Sequence, residues 1–216
     1  MGRDGALRLV IEQIGSCPAS ARAFRHRHAY GLRPEGVVVC ENLIEADGAL
    51  PDLPRVGVTL VLAPEFERLR WFGRGPHESY RDRIRGAAVG WYAGTVSGQY
   101  VPYIVPQEHG NKTDVRWLKL ETPDGRVLRV VAADRLLECS ASHFTAHDLF
   151  LARHTIDLEP RREVILNVDY AQRGLGTASC GPDVLPAYRI LPGRYRLNFR
   201  MEVGLKSLQT GRGRGC

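Results

Sequence analysis

The chain has 216 residues, 44% of them hydrophobic and 25% charged, with 23 glycines, 13 prolines and a net charge of +6. A chain of this size buries about 70% of its unfolded surface, so a full core without staples is expected, while an (α/β)₈ barrel of about 250 residues is a poor fit. The segment Val58 to Ala63, apolar but for Thr59, is far short of a bilayer span and no charged-then-apolar leader opens the chain, so neither a membrane protein nor a secreted mini-scaffold is expected.

Period-two alternation dominates and helical periodicity is nearly absent. Leu7 to Glu12 reads as a first strand, and Phe24 to Tyr30 alternates as a second before the turn Pro34-Glu35-Gly36. Val37 to Ile44 follows and stops at Asp47-Gly48. Val56 to Leu62 and Arg68 to Phe72 are further strands. Val115 to Leu120 and Val127 to Ala132 flank the hairpin signal Asp124-Gly125. One short helix is expected after Thr145-Ala-His-Asp148, whose Thr and Asp have the spacing of a capping box. Val164 to Val168 is a strand, and Tyr188–Leu191 and Tyr195–Val203 read as a late pair joined by Pro192-Gly193. Strands at this spacing predict an antiparallel all-β sandwich or barrel. No repeat or linker divides the chain, so one domain over residues 6–205 is expected, with 206–216 as a polar tail. Three loops stand out: Gly73 to Ile84, Pro102 to Asp114 and Arg173 to Pro186.

Arginine supplies 27 of the 30 basic residues and is spread along the chain, as in Arg25-His26-Arg27-His28 and Arg194-Tyr195-Arg196. A nucleic-acid binder concentrates its cations on one face, so these read as solvent faces of strands and no nucleic-acid partner is expected. Five cysteines at 17, 40, 139, 180 and 216 form no CxxC pair, which suits free thiols in a cytoplasmic protein. His26 and His28 lie on one strand face, and His143 and His147 are four apart, but neither pair has the company a metal needs and no metal site is expected. Gly174 to Pro182 is glycine-rich, yet it lacks the lysine and following helix of a phosphate loop. It reads as small residues that let the backbone approach a ligand or neighbouring domain. Gln107-Glu108-His109-Gly110-Asn111 follows an aromatic and proline-stiffened stretch. Here Glu108 and His109 are placed for acid–base work or for hydrogen bonding to sugar hydroxyls, or Glu108 simply pairs with an arginine. Glycoside hydrolysis needs two carboxylates flanking the scissile bond, and no such pair is nominated.

These segments resemble the C-terminal, small-chain-type domain of glycoside hydrolase family 2 β-galactosidases. Five stretches carry the resemblance in order: Leu53 to Gly57, Trp71 to Arg83 (WFGRGPHESYRDR), Tyr103 to Asn111 (YIVPQEHGN), Ser140 to Thr145 (SASHFT) and Gln172 to Asp183 (QRGLGTASCGPD). The resemblance implies a large antiparallel super-sandwich of galactose mutarotase-like kind. It also implies a separate catalytic barrel, or large chain, that holds the two catalytic glutamates and the magnesium and sodium sites. On this reading the chain helps shape the mouth for a β-galactoside, in an enzyme expected to be oligomeric. The loop that reaches the substrate in the family corresponds to Gly174–Asp183, which makes Ser179, Cys180, Gly181 and Asp183, with Glu108, His109 and Asn111, the expected substrate-binding residues. Cys180-Gly181 stands where an aromatic residue stacks on the aglycone in well-studied members. The mutarotase kinship offers His143 as an acid or base, with Glu108 or His109 as partner, in a free-standing aldose 1-epimerase. A non-catalytic sugar-binding module is the third reading.

Overall fold

The computed structural model describes residues 7–18, 20–176 and 181–205. The tail 206–216 and the loop residues Ser179 and Cys180 lie outside the described residues. The residues described form twelve strands, most of them carrying the alternation of apolar and polar residues: β1 (Leu7–Cys17), β2 (Ser20–Arg33), β3 (Val37–Ala46), β4 (Arg55–Leu62), β5 (Arg68–Gly75), β6 (Ala88–Thr95), β7 (Lys112–Val115), β8 (Trp117–Glu121), β9 (Arg126–Ala132), β10 (Leu137–Ser142), β11 (Val164–Gln172) and β12 (Arg194–Leu205). The single α-helix in this set, α1 (Ala146–Leu151), is one and a half turns long. Its capping box is formed as read: Asp148 N–H donates to Thr145 Oγ1 at 3.1 Å, and Thr145 N–H donates to Asp148 Oδ2 at 2.8 Å.

The strands form an eight-stranded sheet in the order β1-β2-β3-β12-β9-β8-β5-β6 and a four-stranded sheet in the order β4-β11-β10-β7. Every pairing is antiparallel, so the architecture is the expected all-β sandwich. The core lies between the sheets. Leu69, Trp71, Leu118, Leu120, Val130, Leu197 and Phe199 of the large sheet meet Val115, Leu137, Cys139, Val164, Leu166 and Val168 of the small one. Apolar burial of this kind contributes roughly 25 cal/mol per Å² and is what holds the layers together.

Three readings need correction. Tyr188–Leu191 is not a strand: Pro186 opens a 3₁₀ turn over Pro186–Tyr188. Ile190 then contributes only a lone carbonyl to Leu53 N–H at 2.7 Å, so Pro192-Gly193 joins no hairpin. The expected strand Val115–Leu120 is divided, because Asp114 takes a left-handed φ of 54° and the chain passes between layers at Arg116. Arg116 N–H donates to Phe72 O in the large sheet, whereas β7 pairs with β10 in the small one. Two strands had no sequence signal. β6 carries Gly90, Ala93 and Gly94 on an exposed sheet edge, and β10 places the small Cys139 and Ala141 in the core beside Leu137.

Candidate functional site

The inner strand β11 of the small sheet is buried on both faces. Along β11, Val164, Leu166 and Val168 face the core, and the alternate residues Ile165, Asn167, Asp169 and Ala171 are buried beneath loops on the other side. That outward face is polar and built in rows. Ser140, Asn167 and Thr59 are cross-strand neighbours, with Thr59 Oγ1 donating to Asn167 Oδ1 at 2.8 Å and Asn167 Nδ2 donating to Ser140 Oγ at 3.0 Å. The next row sets Glu138, Asp169 and Gly57 side by side. Gly57 is required there: a Cβ would fall 1.9 Å from Asp169 Oδ1 and 2.7 Å from the Asp169 Cα.

Two adjacent buried carboxylates repel unless cations sit between them and solvent. Arg55 answers for Asp169, donating through Nη2, and holds Glu108 Oε1 at 2.7 Å through Nη1. Arg81 donates to Glu138 Oε1 at 3.1 Å, and Gln172 N–H and Asn111 Nδ2 donate to Oε2 at 2.8 and 3.3 Å. Burial still pushes the Asp169 carboxyl up to about 7 against the pull of Arg55, and burial raises Glu138 as well.

The segment His77 to Arg83 is the bracket that hangs three loops on this face. Glu78 accepts from the Tyr103 hydroxyl, from Gly110 N–H at 2.9 Å, from Tyr80 at 3.3 Å and from Arg83 at 3.0 Å. Gly110, with φ of 78°, adopts a backbone that side-chain-bearing residues avoid. Burial opposes ionisation of Glu78, yet the donors from Tyr103 and Gly110 and the charge of Arg83 hold its carboxyl below the usual range. Ser79 N–H donates to Asn111 O at 2.8 Å, Asn111 Nδ2 returns to Ser79 O at 3.0 Å, and Thr113 N–H donates to Ser79 Oγ at 3.0 Å. Asp82 Oδ2 accepts from Gly176 N–H at 2.7 Å, which ties in the glycine-rich loop.

Above this bed lies a cleft of about 840 Å³ whose lining includes Arg55, Pro106, Glu108, Phe150, Arg173 and Leu175. The structure therefore brings Glu108 and the start of the glycine-rich loop to one opening. Asp183 is held by Arg173 Nη2 at 2.7 Å and Arg189 Nη2 at 3.4 Å, and Arg173 also binds Asp52. Gly181 is exposed. His109 and Asn111 lie underneath, both buried. The His109 ring packs edge-on against Tyr100 at 5.0 Å, with Nδ1 3.0 Å from Gln107 O. His143 is elsewhere. It lines a separate cleft of about 320 Å³ with Tyr100 and Phe144, and both ring nitrogens are engaged, Nε2 with Glu67 Oε2 and Nδ1 with Glu163 O, each at 3.0 Å. Its carboxylate neighbour is Glu67, not Glu108.

Arg55, Glu78, Asp82, Glu138 and Asp169 carry this arrangement and were not singled out as site residues by sequence reasoning. The signal for Asp169 was a carboxylate inside an otherwise core-like strand, VILNVDYA. For Glu78 and Asp82 it was four ionisable side chains within six residues, Glu78 to Arg83. Among the described residues no group of three or more His, Cys, Asp or Glu could hold a metal ion. The His26 and His28 rings are tilted by 37° with centroids 3.4 Å apart, and His26 Nε2 lies 3.2 Å from Asn42 Oδ1. Burial first, then the neighbouring imidazole, pushes His26 down to about 4. Cys17, Cys40 and Cys139 are free, and burial pushes the Cys40 thiol up to about 12.

The geometry defines a class: an antiparallel β-sandwich domain that presents loops around an open cleft, with Glu108, the carboxylate in its lining, committed to Arg55. Residues 7–201 match the family model described as beta galactosidase small chain, and the chain belongs to that family. It is 35% identical over 210 residues to the beta-galactosidase of Arthrobacter sp. (strain B7), covering 89% of this chain and 21% of that protein. The beta-galactosidase of Vibrio cholerae is 30% identical over 201 residues, 93% of this chain and 19% of its own length. That of Kluyveromyces lactis is 32% identical over 149 residues, 69% and 14% respectively. The chain thus spans about a fifth or less of these relatives.

Proposed function

We propose that this chain is the small-chain domain of a β-galactosidase that hydrolyses terminal non-reducing β-D-galactose residues, as in lactose. Its role is to shape the mouth of a site whose chemistry is supplied by a catalytic barrel outside these 216 residues. The observation that carries the reading is the family match over residues 7–201 in relatives about five times as long. The tied state of the carboxylates in these loops fits it: Glu108, in the cleft lining, is clamped by Arg55, and Asp183 by Arg173 and Arg189. A retaining hydrolase needs two carboxyl groups about 5–5.5 Å apart, one free to act as nucleophile and one as acid. In the proposed enzyme both stand in the barrel, with its magnesium and sodium.

The cleft above Arg55 is the surface offered to the galactoside, with Glu108 and Arg173 to Leu175 in its lining and His109 and Asn111 buried beneath. The assembled enzyme is proposed to be oligomeric and cytoplasmic. In support, three of the five cysteines are free thiols, and among the described residues no helix is long and apolar enough to cross a membrane.

The test is hydrolysis of nitrophenyl-β-D-galactoside by the purified chain alone and mixed with the barrel-containing large chain. Activity in the mixture, with none above buffer for the chain alone, is expected. Robust turnover by the chain alone, or no gain over the large chain on mixing, overturns the reading.

A further inference from the structure

The two sheets differ in width, eight strands against four, and the consequence is an unfinished core. The small sheet sits toward one side: β7 packs against β5, β11 against β12, and β4 is its outer strand on the side of β3. Strands β1 and β2 extend beyond β4. Cross-strand neighbours share a face, so the rows of the large sheet can be followed outward from the core. One row runs Phe199, Cys40, Tyr30, Leu9, and a second runs Met201, Val38, Leu32, Leu7. A third runs Leu197, Asn42, His28, Ile11. In the first row exposure rises from 2% at Phe199 to 50% at Leu9, and Leu7 and Ile11 reach 66% and 39%. Phe24, further along the same face of β2, is 42% exposed. This is the core-forming face of the sheet continued past the edge of its cover. The facing residues of β4, Val58, Leu60 and Leu62, are only partly buried although they point into the core. The outer edge of β4 also has no strand beside it among the described residues.

An exposed apolar step beside an unpaired strand edge is the geometry of strand addition. A segment laid against β4 satisfies its free backbone groups and drops alternate side chains onto Leu9, Tyr30, Ile11 and Leu32. We infer that this step is a docking surface for an apolar, strand-forming segment of the β-galactosidase that lies outside this chain and completes the smaller layer of the sandwich. The source is the length argument: about four-fifths of the Arthrobacter and Vibrio relatives is not represented here. The inference rests on the proposed function and names which surface of the domain meets its partner.

Amide hydrogen exchange on β1, β2 and β4, measured for the chain alone and with the large chain, tests it together with the double variant Leu9→Glu/Ile11→Glu. Both positions are solvent-accessible in the free chain, so the variant is expected to fold. Val10→Glu, on the opposite face of β1, is the control. Expected results are protection of β2 and of the β4 edge on assembly and affinity for the large chain lowered about 100-fold by the double variant, with the control within about threefold of wild type. If the enzyme assembles and is active while these strands keep exchanging and the double variant assembles normally, this inference fails and the proposed function stands. A dimer of the chain held through the same face in the presence of the large chain, seen by ultracentrifugation and abolished by the double variant, overturns it in favour of a second copy. Failure of the wild-type chain to assemble at all defeats both.

Discussion

The outward positions of the two sheets carry the same kinds of side chain under different conditions. On the large sheet, Arg70, Lys119, Arg129 and Glu202 form a row across β5, β8, β9 and β12, partly exposed. Its pairs, such as Arg129 with Glu202 at 3.2 Å, meet water. On the small sheet, Arg55, Asp169, Glu138 and Asn167 form rows that the loops cover, and Asp169 is 1% exposed. The first arrangement keeps a sheet soluble, and each pair contributes little. The second is a network in which every member positions another, so that removing one leaves a buried group without its partner. The arginines of this chain therefore serve in two ways, and those that hold the loops about the cleft are Arg55 of β4 and the loop residues Arg81, Arg173 and Arg189.

The largest break in this comparison is expected from Gly57→Ala. Its methyl group meets the Asp169 carboxylate and backbone, an overpacking of about 3 kcal/mol, which lowers Tm by roughly 6–12 °C for a domain of this size. A calorimetric shift under 2 °C would mean that the row beside Asp169 is soft.

Asp169→Asn sharpens the comparison through pH. The folded chain holds the Asp169 proton up to about pH 7, whereas the unfolded chain releases it near pH 4. Between those values the folded state binds the extra proton, so the contribution of Asp169 to stability falls as pH rises. The Tm of wild type relative to Asp169→Asn is expected to drop by several degrees between pH 4.5 and 7.5. A gap that is flat or widens in favour of wild type contradicts a desolvated carboxyl.

Glu78→Gln is expected to act locally. Loss of charge-assisted bonds worth about 2 kcal/mol speeds amide exchange across residues 103–110 by roughly thirtyfold, while the core strands β5 and β8 are unchanged. The smallest effect belongs to the large sheet: Arg8→Ala, which breaks the exposed pair with Glu41 at 2.6 Å, is expected to change stability by less than about 0.5 kcal/mol in urea unfolding.

Much of the fold was legible because alternation is a local signal: β2, β3, β9 and β12 each contain the run read from their residues. What escaped depended on neighbours. Small side chains suffice at Cys139 and Ala141 of β10 because they join a core that holds large residues of the opposite sheet. β6 is a strand because it pairs with β5, not because Ala88–Thr95 looks like one. The partial reading of the site has the same origin. Glu108 was visible as a charge in a stiffened loop, and its pairing with an arginine was one of the readings left open. That Arg55 is the partner depends on β4 meeting β11, across 114 residues from Arg55 to Asp169. That the carboxylate beside His143 is Glu67, 76 residues away, was likewise beyond a local reading.

The central claim is that this chain shapes a β-galactosidase site without supplying a reacting carboxylate. It is tested most directly by Glu108→Gln in the assembled enzyme, since Glu108 is the carboxylate among the residues lining the cleft. The expected result is a kcat for nitrophenyl-β-D-galactoside within about tenfold of wild type, with the larger change in KM. A fall in kcat of about 10⁴-fold, the scale seen when a catalytic residue is removed, would contradict it.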